Sequence, residues 1–230
     1  MTIFKKSVET AKVGTVGAVK RRGKYNMAPQ LLEGARLFAE QAAAMEQVLK
    51  IAEPREPDEV SKHRTLVVGA IVLAFMGLEA CMNEVYLDAT DHDMQKLKGL
   101  DERETGLLAV WWPRLESSHA DPLLKARHAL LLLGKADIPE GQCPHQDAQC
   151  LKVLRNALTH YKPEWEDMPL EQAPLEKRLR GRFDPNPLAA GNAIWFPHRC
   201  LGSGCARWAV DTAEAFIRTF CVRLGIKERA

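Results

Sequence analysis

An excess of charge of either sign is nearly missing from this 230-residue chain: 32 lysines and arginines stand against 30 acids, a net charge of +2 with the histidines neutral. So even a balance argues against a chain built along its whole length to hold a polyanion, and equally against an acidic one. A glycine-rich phosphate loop, a Ser-His-Asp signature and an H-E-x-x-H pair are all lacking, which argues against the enzyme classes that depend on them. Period-two alternation, the mark of strands, is almost absent; "NAIWF" (192–196) is the single candidate. No internal repeat is visible. The longest apolar run, Leu66 to Leu78, is too short to cross a bilayer and reads as part of a buried helix. The first residues are basic but lack the continuous apolar segment of a secretory signal. The six cysteines (Cys81, Cys143, Cys150, Cys200, Cys205, Cys221) therefore read as reduced thiols, and the expected compartment is the cytoplasm, with no membrane partner.

What the chain does contain is the material of one helical domain. It is 46% hydrophobic and 27% charged, ordinary values for a globular protein of a size that supports a real core. Residues 1–26 hold Lys5, Lys6, Lys12, Lys20, Arg21, Arg22 and Lys24 against Glu9 alone and sustain no apolar period, so a flexible basic tail is expected there. From Met27 to Ile51, Leu31, Ala35, Phe38, Ala42, Met45 and Leu49 recur every three or four residues, which predicts an amphipathic helix. "EPREPDE" breaks it, and a second helix, apolar almost all round, is expected over 62–89. Shorter helices are expected within 101–117, interrupted by Pro113, and over 121–135 and 146–161. After a proline-rich stretch with room for one short helix (170–180), a last helix should cover 205–224. The expected fold is all-α: a bundle of four to six helices over 27–230, with a long irregular insertion at 162–200 before the last helix.

Two polar sets interrupt this apolar pattern. On the central helix Glu79, Asn83 and Tyr86 share one stripe, at i, i+4 and i+7, and buried polar groups need partners. In "LRNALTHYKPEW" (154–165), Leu151, Leu154, Leu158 and Tyr161 make an apolar stripe, while Lys152, Arg155, Asn156, Thr159 and His160 occupy the other side. Arg155 and His160 are about 140° apart on the helical wheel and bracket Asn156. One helix does not aim both side chains at one point; two copies across a twofold axis supply an arginine edge and a histidine edge to a shared cleft. Arginine forks onto phosphate oxygens and histidine exchanges protons near neutral pH. Together they are the parts needed to cleave RNA without a metal: a proton mover and a stabiliser of transition-state charge. By spacing alone, the same pair also fits a solvated helix face whose histidine is favoured by the helix dipole.

The surroundings of the pair sharpen the reading. "RNALTHYKPEW" resembles the R-N-x3-H motif of the HEPN superfamily. "GLEACMNEVY" (77–86) resembles the polar-bearing core helix that precedes it in such proteins, and "FPHRCLGSGCARWAVDTAEAFI" (196–217) their closing segment. The resemblance covers roughly residues 27–224. It implies a HEPN-like helical bundle that forms a homodimer with its R-x4-H motifs face to face. For many members it also implies a metal-independent endoribonuclease of toxin–antitoxin or defence systems, with an RNA substrate, an antitoxin protein partner in some cases, and no cofactor. By position, Arg155 and His160 match the two catalytic residues and Asn156 the polar second position. Glu79 or Asn83 stands where some members keep a supporting polar residue. The 162–200 insertion departs from the pattern, and many HEPN-like proteins show no RNase activity. A non-catalytic helical dimerisation module that binds nucleic acid or a protein partner is therefore the alternative.

Other clusters are weaker. Cys143, His145, Cys150, Cys200 and Cys205 have spacings that fit no common zinc site, so no metal is assigned and free thiols are expected. "EKRLRGRF" (176–183) groups Lys177, Arg178, Arg180 and Arg182. With Lys152 and Lys162 near the motif, Arg178 and Arg180 are the candidate RNA contacts, against a solvated helix end. Trp111, Trp112, Trp165, Trp195 and Trp208 read as core or dimer anchors rather than as platforms for bases.

Overall fold

Proline and capping chemistry set where the helices begin. In the computed structural model, which describes residues 24–52, 54–162 and 173–228, seven α-helices and one short π-helical turn form and no strand does, among the described residues. Most of the basic segment (1–23) and Trp165 lie outside them. Helix α1 (Ala28–Ile51) starts without a side-chain cap of its own, and Glu84 from the second helix accepts from the Ala28 backbone N–H at 2.9 Å. Helix α2 (Pro57–Thr90) begins five residues earlier than the pattern predicts. Pro57 sits at the first helical position, where its missing N–H costs nothing, and Asp58 and Glu59 suit the positive end of the helix dipole. The break is thus confined to 52–56, where Arg55 Nε donates to the Leu49 carbonyl at 2.9 Å.

Helix α3 (Glu102–Ser117) opens on a reciprocal capping box between Asp101 and Glu104. It runs straight past Pro113, where an interruption is predicted; proline removes one ladder bond, but Trp112 and Leu115 on either side are buried and hold the helix in place. Helix α4 (Pro122–Leu132) is capped by Asp121, which accepts from Leu123 and Leu124. Helices α5 (His145–Thr159), α6 (Ala173–Leu179) and α7 (Ser203–Leu224) complete the set.

The 34-residue α2 is the axis of the fold: α1, α3, α4, α5 and α7 all pack on it. By length and composition alone it is long and apolar enough to cross a membrane, unlike the short run read from sequence; here half of that apolar window is buried inside the bundle. Close approach of α1 requires glycine: a Cβ on Gly69 would meet Phe38 at 2.5 Å and one on Gly77 would meet Leu32 at 2.8 Å. A second carboxylate keys α1 to α7. Glu46, buried in the bundle, accepts from the Ser203 backbone N–H at 2.8 Å and its hydroxyl at 2.9 Å, and lies 3.2 Å from His63 Nε2.

The all-α expectation holds, and the described part of the insertion beyond α6 is irregular up to a short π-helical turn at Trp195–Arg199. "NAIWF" is not a strand. Residues Trp195–Arg199 form a kinked turn in which only Phe196 is extended, because Trp195 and Phe196 bury their rings against Phe183 and Tyr161 and no neighbouring strand offers a ladder. Within the segment expected as a tail, Lys24 is bound: its ammonium reaches Asp88 at 2.8 Å and Asp91 at 2.9 Å at the end of α2.

Candidate functional site

The apolar stripe of α5 faces the core over its first turns, where Ala148, Leu151 and Leu154 are fully buried; Leu158 is only half-buried and Tyr161 exposed. The helix ends at Thr159, earlier than the pattern suggests, with the Thr159 hydroxyl bonded back to the Arg155 carbonyl at 3.0 Å. His160 is the cap residue, at φ −113 and ψ 31, its N–H still donating to Asn156 O at 2.9 Å. The imidazole is exposed and has no hydrogen-bond or ion-pair partner among the described residues.

Arg155 behaves differently. Its guanidinium carbon lies 4.2 Å from the centre of the Phe75 ring, and Nη2 is 3.6 Å from a Glu79 carboxylate oxygen. That separation gives charge attraction without a short hydrogen bond, so the donor fork stays open to another acceptor. The side chain is one-quarter exposed, which leaves an edge on the surface. Phe75 and Glu79 are i and i+4 on α2, and so form one patch over which the guanidinium sits. Asn156 is half-buried on the same helix.

Asn83, expected to support the motif, is engaged elsewhere. Lys125 Nζ donates to its side-chain oxygen at 2.7 Å. Lys125 is only 5% exposed, its Nζ lies 5.6 Å from the centre of the Trp112 ring, and burial holds its pKa below the ordinary lysine value against the pull of Glu79, Asp121 and Glu116. Tyr86, third of the polar set, donates its hydroxyl to the Lys125 carbonyl at 3.0 Å and lies 3.1 Å from His128 Nδ1. Glu79 thus stands between two cations, while Asn83 and Tyr86 belong to Lys125.

The candidate RNA contacts separate. Lys152 is paired with Asp121 at 2.9 Å; burial raises the Asp121 pKa, but the lysine and the two backbone N–H groups hold it below the ordinary value. Lys162 is exposed beyond His160. Arg180 is bound to Glu176. Arg178 and Lys177 are exposed and line a cleft of about 910 Å³ together with Arg127, Arg182, His145 and Glu140. This basic cleft takes in α5 from His145 to Cys150, and His160 caps the other end, so at least ten residues of helix, about 15 Å, separate the two.

The thiols do not converge on a metal. Cys143 is exposed and bonded to Asp147 at 3.2 Å, Cys150 is buried against the Arg178 carbonyl, and Cys200 and Cys205 are buried beside one another, where burial raises the Cys205 pKa. No group of three or more metal-ligating side chains forms among the described residues.

Sequence reasoning missed Phe75 and Lys125. The signal for Lys125 was present, since it stands three residues after Pro122 and four before Ala129, on the buried face of α4. Comparison with family models, with curated proteins and with solved structures finds no match.

Proposed function

We propose that the chain is a metal-independent endoribonuclease of HEPN type that works as a homodimer in the cytoplasm, with no cofactor, in the manner of toxin or defence components. The observation that carries the reading is the contrast on α5. Arg155 sits over Phe75 beside Glu79 with its donor fork open, and one turn later His160 stands exposed and unpaired among the described residues. A prepositioned cation and a free imidazole are what in-line cleavage needs. The 2′-oxygen attacks phosphorus and loses its proton, the bond from phosphorus to the 5′-oxygen breaks, and that oxygen takes up a proton. The products are a 2′,3′-cyclic phosphate and a 5′-hydroxyl, with no oxidant or co-reactant. His160 moves the proton, Arg155 holds the phosphate, and Asn156 and Glu79 position them. A second copy brings the arginine of one subunit to the histidine of the other, as the wheel geometry of one helix requires. An antitoxin would cover this face.

The alternative, a non-catalytic helical dimer that binds nucleic acid or protein, draws on the same Arg155 contacts, because a cation on a ring beside a carboxylate also serves packing. The test is RNA incubated with purified protein in EDTA, beside Arg155→Ala and His160→Ala. Cleavage by the wild type that both substitutions abolish is expected. No cleavage of a broad RNA panel, or equal cleavage by all three, refutes the enzyme.

A further inference from the structure

The Lys125 ammonium is one of few cations buried in this bundle, and its environment is incomplete. Of its three N–H bonds one goes to Asn83 Oδ1, at 2.7 Å. Glu79, Glu116 and Asp121 act on it electrostatically, yet none is within the 4.0 Å of an ion pair. Lys125 as a residue is 5% exposed, and its ammonium, with donors left over, faces the opening beside it, so a ligand acceptor placed there gains a charge-assisted hydrogen bond. Beside it lies a cavity of about 350 Å³, lined by Glu79, Asn83, Trp112, Glu116, His119 and Lys125. Lys125 and Trp112 are buried at its inner wall, and Glu116 and His119 are exposed at its rim. The cavity also shares Glu79 with Arg155, so it adjoins the proposed cleavage site.

Its wall offers donors next to acceptors. Lys125, and the amide nitrogen of Asn83, seek acceptor atoms; the Glu79 and Glu116 carboxylates seek N–H groups. A free phosphate matches the first pair and is repelled by the second. A simple cation has the opposite fault. A planar group that presents a carbonyl oxygen beside an imino N–H matches both. Uracil and guanine carry that edge. Adenine and cytosine present the same two functions in reverse order, an amino donor and a bare ring nitrogen, so when the strand holds the base in the keto orientation they set donor against donor and acceptor against acceptor. The volume accommodates a single base and not a helix.

We propose that this cavity is a base-recognition pocket that selects a keto base of an RNA strand, uracil or guanine, with Lys125 and Asn83 donating to the carbonyl and Glu79 or Glu116 accepting from the imino N–H. It rests on the proposal that the chain acts on RNA, and adds which nucleotide flanks the scissile bond.

The test separates the two. Labelled 2′-deoxy strands of uracil, adenine and cytosine, equal in length and charge, are titrated onto the full-length protein in EDTA. They lack the 2′-hydroxyl, so binding is read whether or not RNA is cleaved. The uracil strand is expected to bind at least about tenfold more tightly than either other strand. Lys125→Met should bring that ratio close to one, whatever it does to the affinity common to all three strands. Glu116→Gln, on the exposed rim where folding is not at stake, should lower the ratio as well. Equal binding of the three strands by the wild type, or an undiminished preference in both variants, overturns the pocket even where RNA is cleaved. A keto preference without cleavage upholds the pocket and removes the enzyme. Uridine monophosphate that competes as strongly as the strand would make a free nucleotide the occupant and overturn the assignment to RNA.

Discussion

Replacing Arg155 with alanine removes two contacts of known size and one proposed role, and the magnitudes keep them apart. The guanidinium over Phe75 at 4.2 Å is three-quarters shielded, so the cation–ring attraction is worth about 1–2 kcal/mol. The Glu79 pair is longer, at 3.6 Å, and its carboxylate is 38% exposed, so solvent screening holds it to about 0.2–0.5 kcal/mol. Arg155→Ala should therefore cost about 1–3 kcal/mol and lower the melting temperature by about 3–10 °C for a protein of this size. With a domain stability of about 5–15 kcal/mol, nearly all of the variant stays folded at 25 °C. Loss of folded protein then changes activity by a few per cent. Loss of a donor aimed at transition-state charge changes it by about 10²–10³-fold. Melting curves and EDTA cleavage rates on the same preparations decide. Arg155→Lys should keep part of the rate, since charge survives but the flat fork does not. A folded Arg155→Ala protein that cleaves at the wild-type rate, or a rate loss that only tracks the loss in melting temperature, refutes the reasoning.

Three further outcomes follow from the geometry. His160→Ala removes an exposed ring without a partner among the described residues, so stability should change by no more than about 0.5 kcal/mol while cleavage falls about 10²–10⁴-fold. For Glu46, burial raises the carboxyl pKa, but the bonds from His63 and Ser203 more than offset it and leave it below the ordinary value. A depressed carboxylate contributes fully above the unfolded pKa of about 4.3 and loses its contribution as pH falls through its folded value. Glu46→Gln should thus be destabilised at pH 7 by about 1–3 kcal/mol and lose less on acidification than the wild type, read as denaturant midpoints across pH. Gly77→Ala drives a methyl group to within 2.8 Å of Leu32 and should cost about 1–3 kcal/mol, seen as a lower urea midpoint.

The helices were legible because their signals are local. Apolar spacing marks α1, α2, α5 and α7, and the helices expected over 101–117 and 121–135 form as α3 and α4, capped by Asp101 and Asp121. Errors arise where tertiary packing outweighs a local rule. Pro113 sits inside α3 because buried neighbours hold the turn, and Trp195 with Phe196 serves ring packing instead of a strand. In the candidate site, the placement of Arg155 and His160 on one polar face could be read from spacing. That Arg155 lies on Phe75 could not, since it depends on how α5 crosses α2. The pairing of Asn83 with Lys125 was hidden for the same reason, as the two stand 42 residues apart.

Glu84 and Glu46 begin helices to which they do not belong, across 56 and 157 residues of chain. The first turns of α1 and α7 therefore acquire their missing acceptors only once distant parts of the polypeptide have met. Neither helix is a self-sufficient module, and a chain severed ahead of Ser203 would strand the Glu46 carboxylate beside His63 in an opened interior. Such a fragment should expose hydrophobic surface and aggregate instead of persisting as a smaller native bundle, which ties integrity of the whole molecule to arrival of its last helix.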